Sequence, residues 1–95
     1  MRAARVDANQ GEIVLALVSQ GWSVQSLAGV GCGCPDILVG AGGVNVLLEL
    51  KTDEKKKLTK HQVVWHRNWQ GQVARADSPQ EAVVEVLTAI GRETR

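Results

Sequence analysis

The segment VNVLLELK, residues 44–51, constrains this chain more than any other. Its apolar run is nearly unbroken, which is the pattern of a strand buried on both faces; a half-exposed strand alternates. Yet the run ends in Glu49 and Lys51. Side chains two apart share a strand face, so Glu49 and Lys51 point one way while Leu48 and Leu50 point the other. A charge carried into an apolar layer is costly unless something compensates it. Upstream, DILVG at 36–40 reads as another strand, and the GAGG tract at 40–43 is a tight turn between the two. Strands joined this closely are antiparallel neighbours, so residues 36–39 lie against residues near 46–50 and Asp36 falls near Glu49 at the same end of the sheet.

The remaining elements follow from caps and periodicity. Asp7 can cap a helix over residues 8–20, with Gln10 as its reciprocal partner and Ile13, Ala16, Leu17 and Gln20 marking one face. Gly21 ends it. Trp22, Val24 and Ser26 alternate with Ser23 and Gln25 as a short strand, and GVGCGCP is too glycine-rich for regular structure. Thr59 and Gln62 form a capping box, with Leu58 placed to staple onto Val63, so a helix runs from Thr59 to Trp69 or Gln70. A strand at 72–76 comes next. Ser78 and Glu81 make a second capping box with Pro79 at the first helical position, opening a helix over 79–90 whose Ala82, Val83, Val86, Leu87 and Ile90 face inward. The last residues, GRETR, are a frayed tail. The expected order is α-β-β-β-α-β-α, a mixed sheet between helices, with no repeat, linker or second domain.

The bulk numbers permit this. Ninety-five residues suit one domain whose thin core a dimer would support, and a chain 44% hydrophobic and 22% charged is globular in type. A net charge of +1 does not demand a nucleic-acid partner, but the cations cluster at Arg2 and Arg5, from Lys51 to Lys60, and at Arg67 and Arg75. No apolar stretch approaches a membrane span, and the first residues lack a signal-peptide run. Cys32 and Cys34, one residue apart and without a second ligand pair, read as free thiols in a reducing cytoplasm.

The chemistry centres on three carboxylates. If the first helix packs over the face that carries Glu49, Glu12 reaches Asp36 and Glu49. Acids grouped around one point repel unless a cation sits among them, and such oxygen donors suit Mg²⁺ or Mn²⁺. A lysine two residues beyond a metal-binding glutamate can orient water or stabilise a crowded phosphate, so the reaction served best is phosphodiester hydrolysis. Plainer readings stand beside this one: a surface ion pair for Glu49 and Lys51, a turn-ending role for Asp36, and a first-turn acid for Glu12. Gln62 is a cap partner that also aligns with Trp65, His66 and Trp69 on its helix. The two tryptophans read as a core stripe, with a base-stacking platform as the alternative. His61 is placed to touch phosphate, and zinc is improbable at His61 or His66. The run Asp53 to Lys57 reads as a solvated loop whose lysines could hold a phosphate backbone.

Glu12, Cys34-Pro35-Asp36, Glu49-Leu50-Lys51, the LTKHQ segment at 58–62, Gln62 to Trp65 with Gly71, and the SPQEA segment from Ser78 occur in an order that resembles the PD-(D/E)XK nucleases, and more narrowly the small standalone VRR-NUC proteins of phages and bacteria. The resemblance spans roughly residues 7–90. It implies a restriction-endonuclease-like α/β fold, an αβββαβ core with a central mixed sheet, flanking helices and a C-terminal helix, in a single domain over residues 1–95. It implies that Asp36 and Glu49 bind the divalent ion, that Glu12 contacts it directly or through water, that Lys51 positions or activates the water, and that Gln62 lies near the metal or the DNA backbone. Lys55, Lys56, Lys57, Lys60, His61 and Arg67 are then the candidate DNA contacts. The expected activity is that of a metal-dependent DNA endonuclease selective for branched DNA such as four-way (Holliday) junctions, working as a homodimer in recombination or repair. Its place would be the cytoplasm of a bacterium or of a phage-infected host, with no organic cofactor and no membrane partner. The competing expectations are a nicking or flap-type nuclease acting with a replication or repair partner, a restriction-like enzyme, and a catalytically silent DNA-binding or scaffold domain.

Overall fold

The structure, a computed structural model that describes residues 8–51 and 57–93, runs α1 (Ala8–Ser19), β1 (Ser23–Ser26), β2 (Ile37–Ala41), β3 (Val44–Leu50), α2 (Lys60–Asn68), β4 (Val73–Ala76) and α3 (Pro79–Glu93). This is the α/β order expected from the sequence. The four strands form one mixed sheet in the order β1-β2-β3-β4. The first two pairings are antiparallel, and β4 runs parallel to β3. A parallel neighbour needs a crossover, and α2 supplies it. Asp7, the expected cap of α1, and Lys55 and Lys56 lie outside the described residues, as do Arg2, Arg5, Asp53 and Glu54.

The β2–β3 turn sets the register. Ala41 pairs with Val44, and Gly42 and Gly43 both take positive φ, 59° and 81°, as a two-residue hairpin turn of this hand requires. That turn places Ile37 opposite Leu48. The even residues of β3 then join the odd residues of β2 in one layer: Ile37, Val39, Val46, Leu48 and Leu50 are buried with Ile13 and Leu17 of α1 and Ala82, Val86 and Ala89 of α3. This is the core. α1 and α3 pack on each other and against the sheet here.

The other face carries Leu38, Leu47 and Glu49, and α2 lies over it. α2 buries no residue at all. Its capping box forms as expected, with Thr59 Oγ1 accepting from the Gln62 amide and Gln62 Oε1 accepting from the Thr59 amide. The second box is shifted. Ser78 Oγ accepts from the Glu81 amide, but Glu81 reaches back to the amide of Asp77 rather than that of Ser78.

Some inward faces differ from those expected. Leu87 is 51% exposed, and Ala89 takes the core position instead, because Ala82, Val86 and Ala89 follow the four-then-three spacing of a helical stripe and Leu87 falls beyond its edge. Gln20 lies past the end of α1 and is exposed. α3 continues through Gly91 to Glu93, so the expected frayed tail is helical up to that point. Trp65 and Trp69 are not a core stripe: Trp65 is half-buried and Trp69 is 47% exposed. No described helix is long and apolar enough to cross a membrane.

Candidate active site

The site forms where β2 begins and β3 ends. Asp36 lies one residue before β2, and its amide donates to the Leu48 carbonyl at 3.1 Å. Its own carbonyl is taken by the Leu27 amide at 2.8 Å, at the start of the glycine-rich loop. The Asp36 carboxylate therefore extends the ladder in place of its backbone: Oδ2 accepts from the Leu50 amide at 2.7 Å. This fixes the side chain at the strand end, on the face of Glu49. The loop is held close by Gly33, at φ 85°, where any Cβ would collide with the His61 carbonyl at the start of α2. The loop and α2 thus meet over the two acids.

Glu49 is 1% exposed, so a surface ion pair does not describe it. Its Oε2 accepts from Gln62 Nε2 at 2.9 Å and lies 3.7 Å from Lys51 Nζ. Lys51 Nζ in turn donates to Gln62 Oε1 at 3.0 Å. Gln62 is the hub. Its single carbonyl oxygen accepts from both the Thr59 amide and Lys51, while its amino group faces Glu49. The cap role and the site role coexist because an amide oxygen has two lone pairs.

The other Glu49 oxygen has no such arrangement. Oε1 is buried and finds no hydrogen-bond partner among the described residues, and His66 Nε2, 3.9 Å away, is equally without one. Burial foremost, then the hydrogen bond and charge of Asp36, push the Glu49 carboxyl up to about 8, against the opposing pull of Lys51. Burial and then Lys51 hold the His66 imidazole below its ordinary value. Burial also pushes the Cys34 thiol up, with Glu49 and Asp36 adding to it, so Cys34 stands beside the pair as a neutral, half-buried group. Both cysteines are free thiols, as expected.

This donor set fits a small hard cation. Asp36 and Glu49 bring carboxylate oxygens to one place, a buried oxygen is left over, and the pair resists holding two negative charges on its own; a divalent ion relieves all three conditions. Glu12 is not grouped with them among the described residues. α1 packs against α3 and β1, on the core side of the sheet, whereas Glu49 points to the α2 side; Glu12 itself is exposed. Among the described residues no three of His, Cys, Asp and Glu come together as a metal-holding group, so the expected set of Glu12, Asp36 and Glu49 reduces to the Asp36–Glu49 pair. Lys57, Lys60, His61 and Arg67 are exposed on α2 or just before it. His66 is the site residue that sequence reasoning passed over. Its signal was there: it lies four residues after Gln62, on the same helical face.

No protein-family model and no curated protein sequence matches the chain. A solved structure described as a VRR_NUC domain is similar to it, with a TM-score of 0.66 and 24% identity, over 85% of this chain and 97% of that one. The likeness establishes the fold alone, a mixed four-stranded sheet flanked by helices.

Proposed function

We propose that this chain is a divalent-metal-dependent DNA endonuclease that hydrolyses phosphodiester bonds in branched DNA, four-way junctions foremost. The observation that carries the proposal is the hydrogen-bonded set of Asp36, Glu49, Lys51 and Gln62 around a buried carboxylate oxygen with no partner. A structural ion pair would have satisfied both oxygens of a carboxylate buried this deeply.

In this reading Asp36 and Glu49 hold Mg²⁺ or Mn²⁺. Bound there, the ion supplies Lewis acidity toward the phosphate and makes water acidic enough to be a nucleophile. Lys51 places its ammonium beside Glu49, where it can hydrogen-bond the attacking water and a non-bridging phosphate oxygen. Gln62 keeps that ammonium from swinging away, since it grips Lys51 with one end of its amide and Glu49 with the other. Lys57, Lys60, His61 and Arg67, exposed around α2, are suited to the flanking phosphates, with Lys55 and Lys56 as further expected contacts. Such contacts position a duplex without reading its sequence, which suits recognition by shape. A homodimer would set two sites on the symmetric arms of a junction.

The test is cleavage of labelled four-way junction, flap, linear duplex and single-stranded DNA, with Mg²⁺, with Mn²⁺ and with chelator, comparing the wild type with Lys51→Ala and Glu49→Ala. Paired, metal-dependent cuts in the junction that vanish in both variants are the expected result. Cuts confined to flaps or nicks would move the substrate and keep the site. No cutting of any substrate, together with no binding of a divalent ion, overturns the nuclease reading.

A further inference from the structure

Beside the acids, on the same face of the sheet, lies a cavity of about 390 Å³. Its floor is Leu38 of β2 and Leu47 of β3, Leu27 closes it from the glycine-rich loop, and Trp65 and Trp69 wall it from α2. The size falls within the range of small-ligand sites, roughly 300–1,000 Å³. The indoles of Trp65 and Trp69 stack on each other, with centroids 4.6 Å apart and planes 17° from parallel. Nothing in the core holds them: α2 buries no residue, and Trp69 is about half exposed. A stacked pair of the largest apolar side chains, one half-buried and one exposed, over an open apolar floor is a surface prepared for a flat partner.

A flat apolar group that reaches this surface beside a phosphate-handling site describes a nucleobase, because each of the four bases has a π face. A second copy of the chain offers no flat side chain for it. It contains no Phe or Tyr and three Trp, of which Trp22 packs against the core and the other two are the wall itself.

We infer that this cavity holds one unpaired base of the DNA strand, stacked against the Trp65–Trp69 pair. The inference rests on the nuclease reading and sharpens it, since it makes a strand with an unstacked base the preferred substrate. The cavity and the acids are contiguous. Leu47 and Glu49 are two apart on one strand face, roughly 7 Å along it. Trp65 lies on α2 with Gln62 and His66, and Trp69 caps the end of that helix. A strand whose phosphate lies at Asp36 and Glu49 therefore has an adjacent base within reach of the cavity, and the fit requires that base to leave its helix, at a cost least for junction points, flaps and mismatches.

The experiment uses the full chain carrying Trp22→Phe, so that emission reports Trp65 and Trp69 alone, with chelator present to prevent cleavage. The probes are a deoxyadenosine hexanucleotide and a strand of the same length made of abasic sites alone. The intact strand is expected to bind roughly ten-fold or more tightly than the abasic one and to quench the emission. Trp69→Ala should erase the difference between the probes, and Lys60→Ala should weaken both probes equally. Equal affinity for the two probes, or emission unchanged on binding, overturns the assignment. So does a blue shift of the emission with protein concentration alone, which would mean that another copy covers the indoles. Junction cleavage is followed in parallel with Mg²⁺. Lys51-dependent cutting without base discrimination removes the cavity assignment and leaves the nuclease; base discrimination without cutting does the reverse.

Discussion

The two faces of the sheet are built on opposite principles. On one, Ile37, Val39, Val46, Leu48 and Leu50 meet α1 and α3 in a layer of buried aliphatic side chains. On the other, Leu47 and Glu49 are buried beneath a helix that buries nothing of its own, beside a cavity walled by the stacked indoles of Trp65 and Trp69. The same strand, β3, supplies both. The alternation of its side chains puts the aliphatic core on one face and Glu49 on the other, so that a carboxylate with an open oxygen can sit in the fold without a hole in the core. The core face holds the chain folded, and the α2 face leaves an open cavity beside the acids.

The contrast is broken most forcefully from the core side. Leu48→Ala removes a fully buried side chain between the sheet and both helices, and it should cost about 2–5 kcal/mol in urea denaturation. For a chain of this size that is much of the total stability. Trp69→Ala removes more atoms but leaves no core cavity, and it should cost less than about 1 kcal/mol. Equal losses would mean that α2 contributes to the fold as much as α1 and α3 do.

Next in size is the effect of pH on the metal-free protein. The Glu49 carboxyl loses its proton near its ordinary 4.5 in the unfolded chain but only at about 8 in the fold. Between those values the folded state holds the extra proton. Stability is therefore full below pH 4.5 and falls as the pH rises towards 8. With chelator present, thermal melts of the wild type should drop across that window, and melts of Glu49→Gln should stay flatter. Mg²⁺ or Mn²⁺ should raise the wild-type melting temperature most at the upper end, where the pair is ionised, and should do little for the variant. A wild type whose stability climbs from pH 5 to 8 in chelator would remove the account of Glu49 as a carboxylate destabilised by burial.

Much of this was legible in the sequence, and the parts that were not share a cause. Capping boxes, the glycine turn and the unbroken apolar run of β3 are local signals, and they placed every element. Asp36 and Glu49 were paired from the turn alone, because a two-residue hairpin leaves no freedom of register. What local pattern cannot supply is which face of a sheet a helix covers. The expectation that Glu12 joins the acids assumed α1 over the Glu49 face, whereas α1 packs on the other. The same gap hid His66, whose importance depends on α2 lying over Glu49, and it turned Trp65 and Trp69 into core residues on paper. Leu87 was a smaller error of the same kind, since it lies at the edge of a helical stripe where a slight rotation decides exposure.

Thr59 and Gln62 sharpen the comparison on a finer scale, because the cap and the site share one amide. Thr59→Ala removes only the hydroxyl that accepts from the Gln62 amide, so it should cost about 1 kcal/mol of stability and change cleavage little. Gln62→Ala removes the cap reciprocation and the hold on Lys51 and Glu49 together, so it should cost a similar amount of stability and lower the cleavage rate by roughly ten-fold or more. Cleavage equally sensitive to both would make the cap, rather than the bridge to Lys51, the source of the effect.

The smallest expected effect tests the sidedness itself. Glu12 is the acid that the family resemblance assigns to the metal, and it stands exposed on the helix that covers the core face. If the fold alone decides which carboxylates act, Glu12→Gln should change stability by less than about 0.5 kcal/mol, as exposed substitutions do, and should lower cleavage far less than Asp36→Asn. Asp36→Asn is the right comparison because it keeps an oxygen to accept from the Leu50 amide and removes only the charge. The two variants should also differ in divalent-ion affinity measured by calorimetry, with Asp36→Asn weakened and Glu12→Gln close to the wild type. Equal losses of affinity in both would show that the N-terminal part of α1 swings to the acids when the ion binds. The division between the two faces would then describe the metal-free chain alone, and α1 would belong to the site as well as to the core.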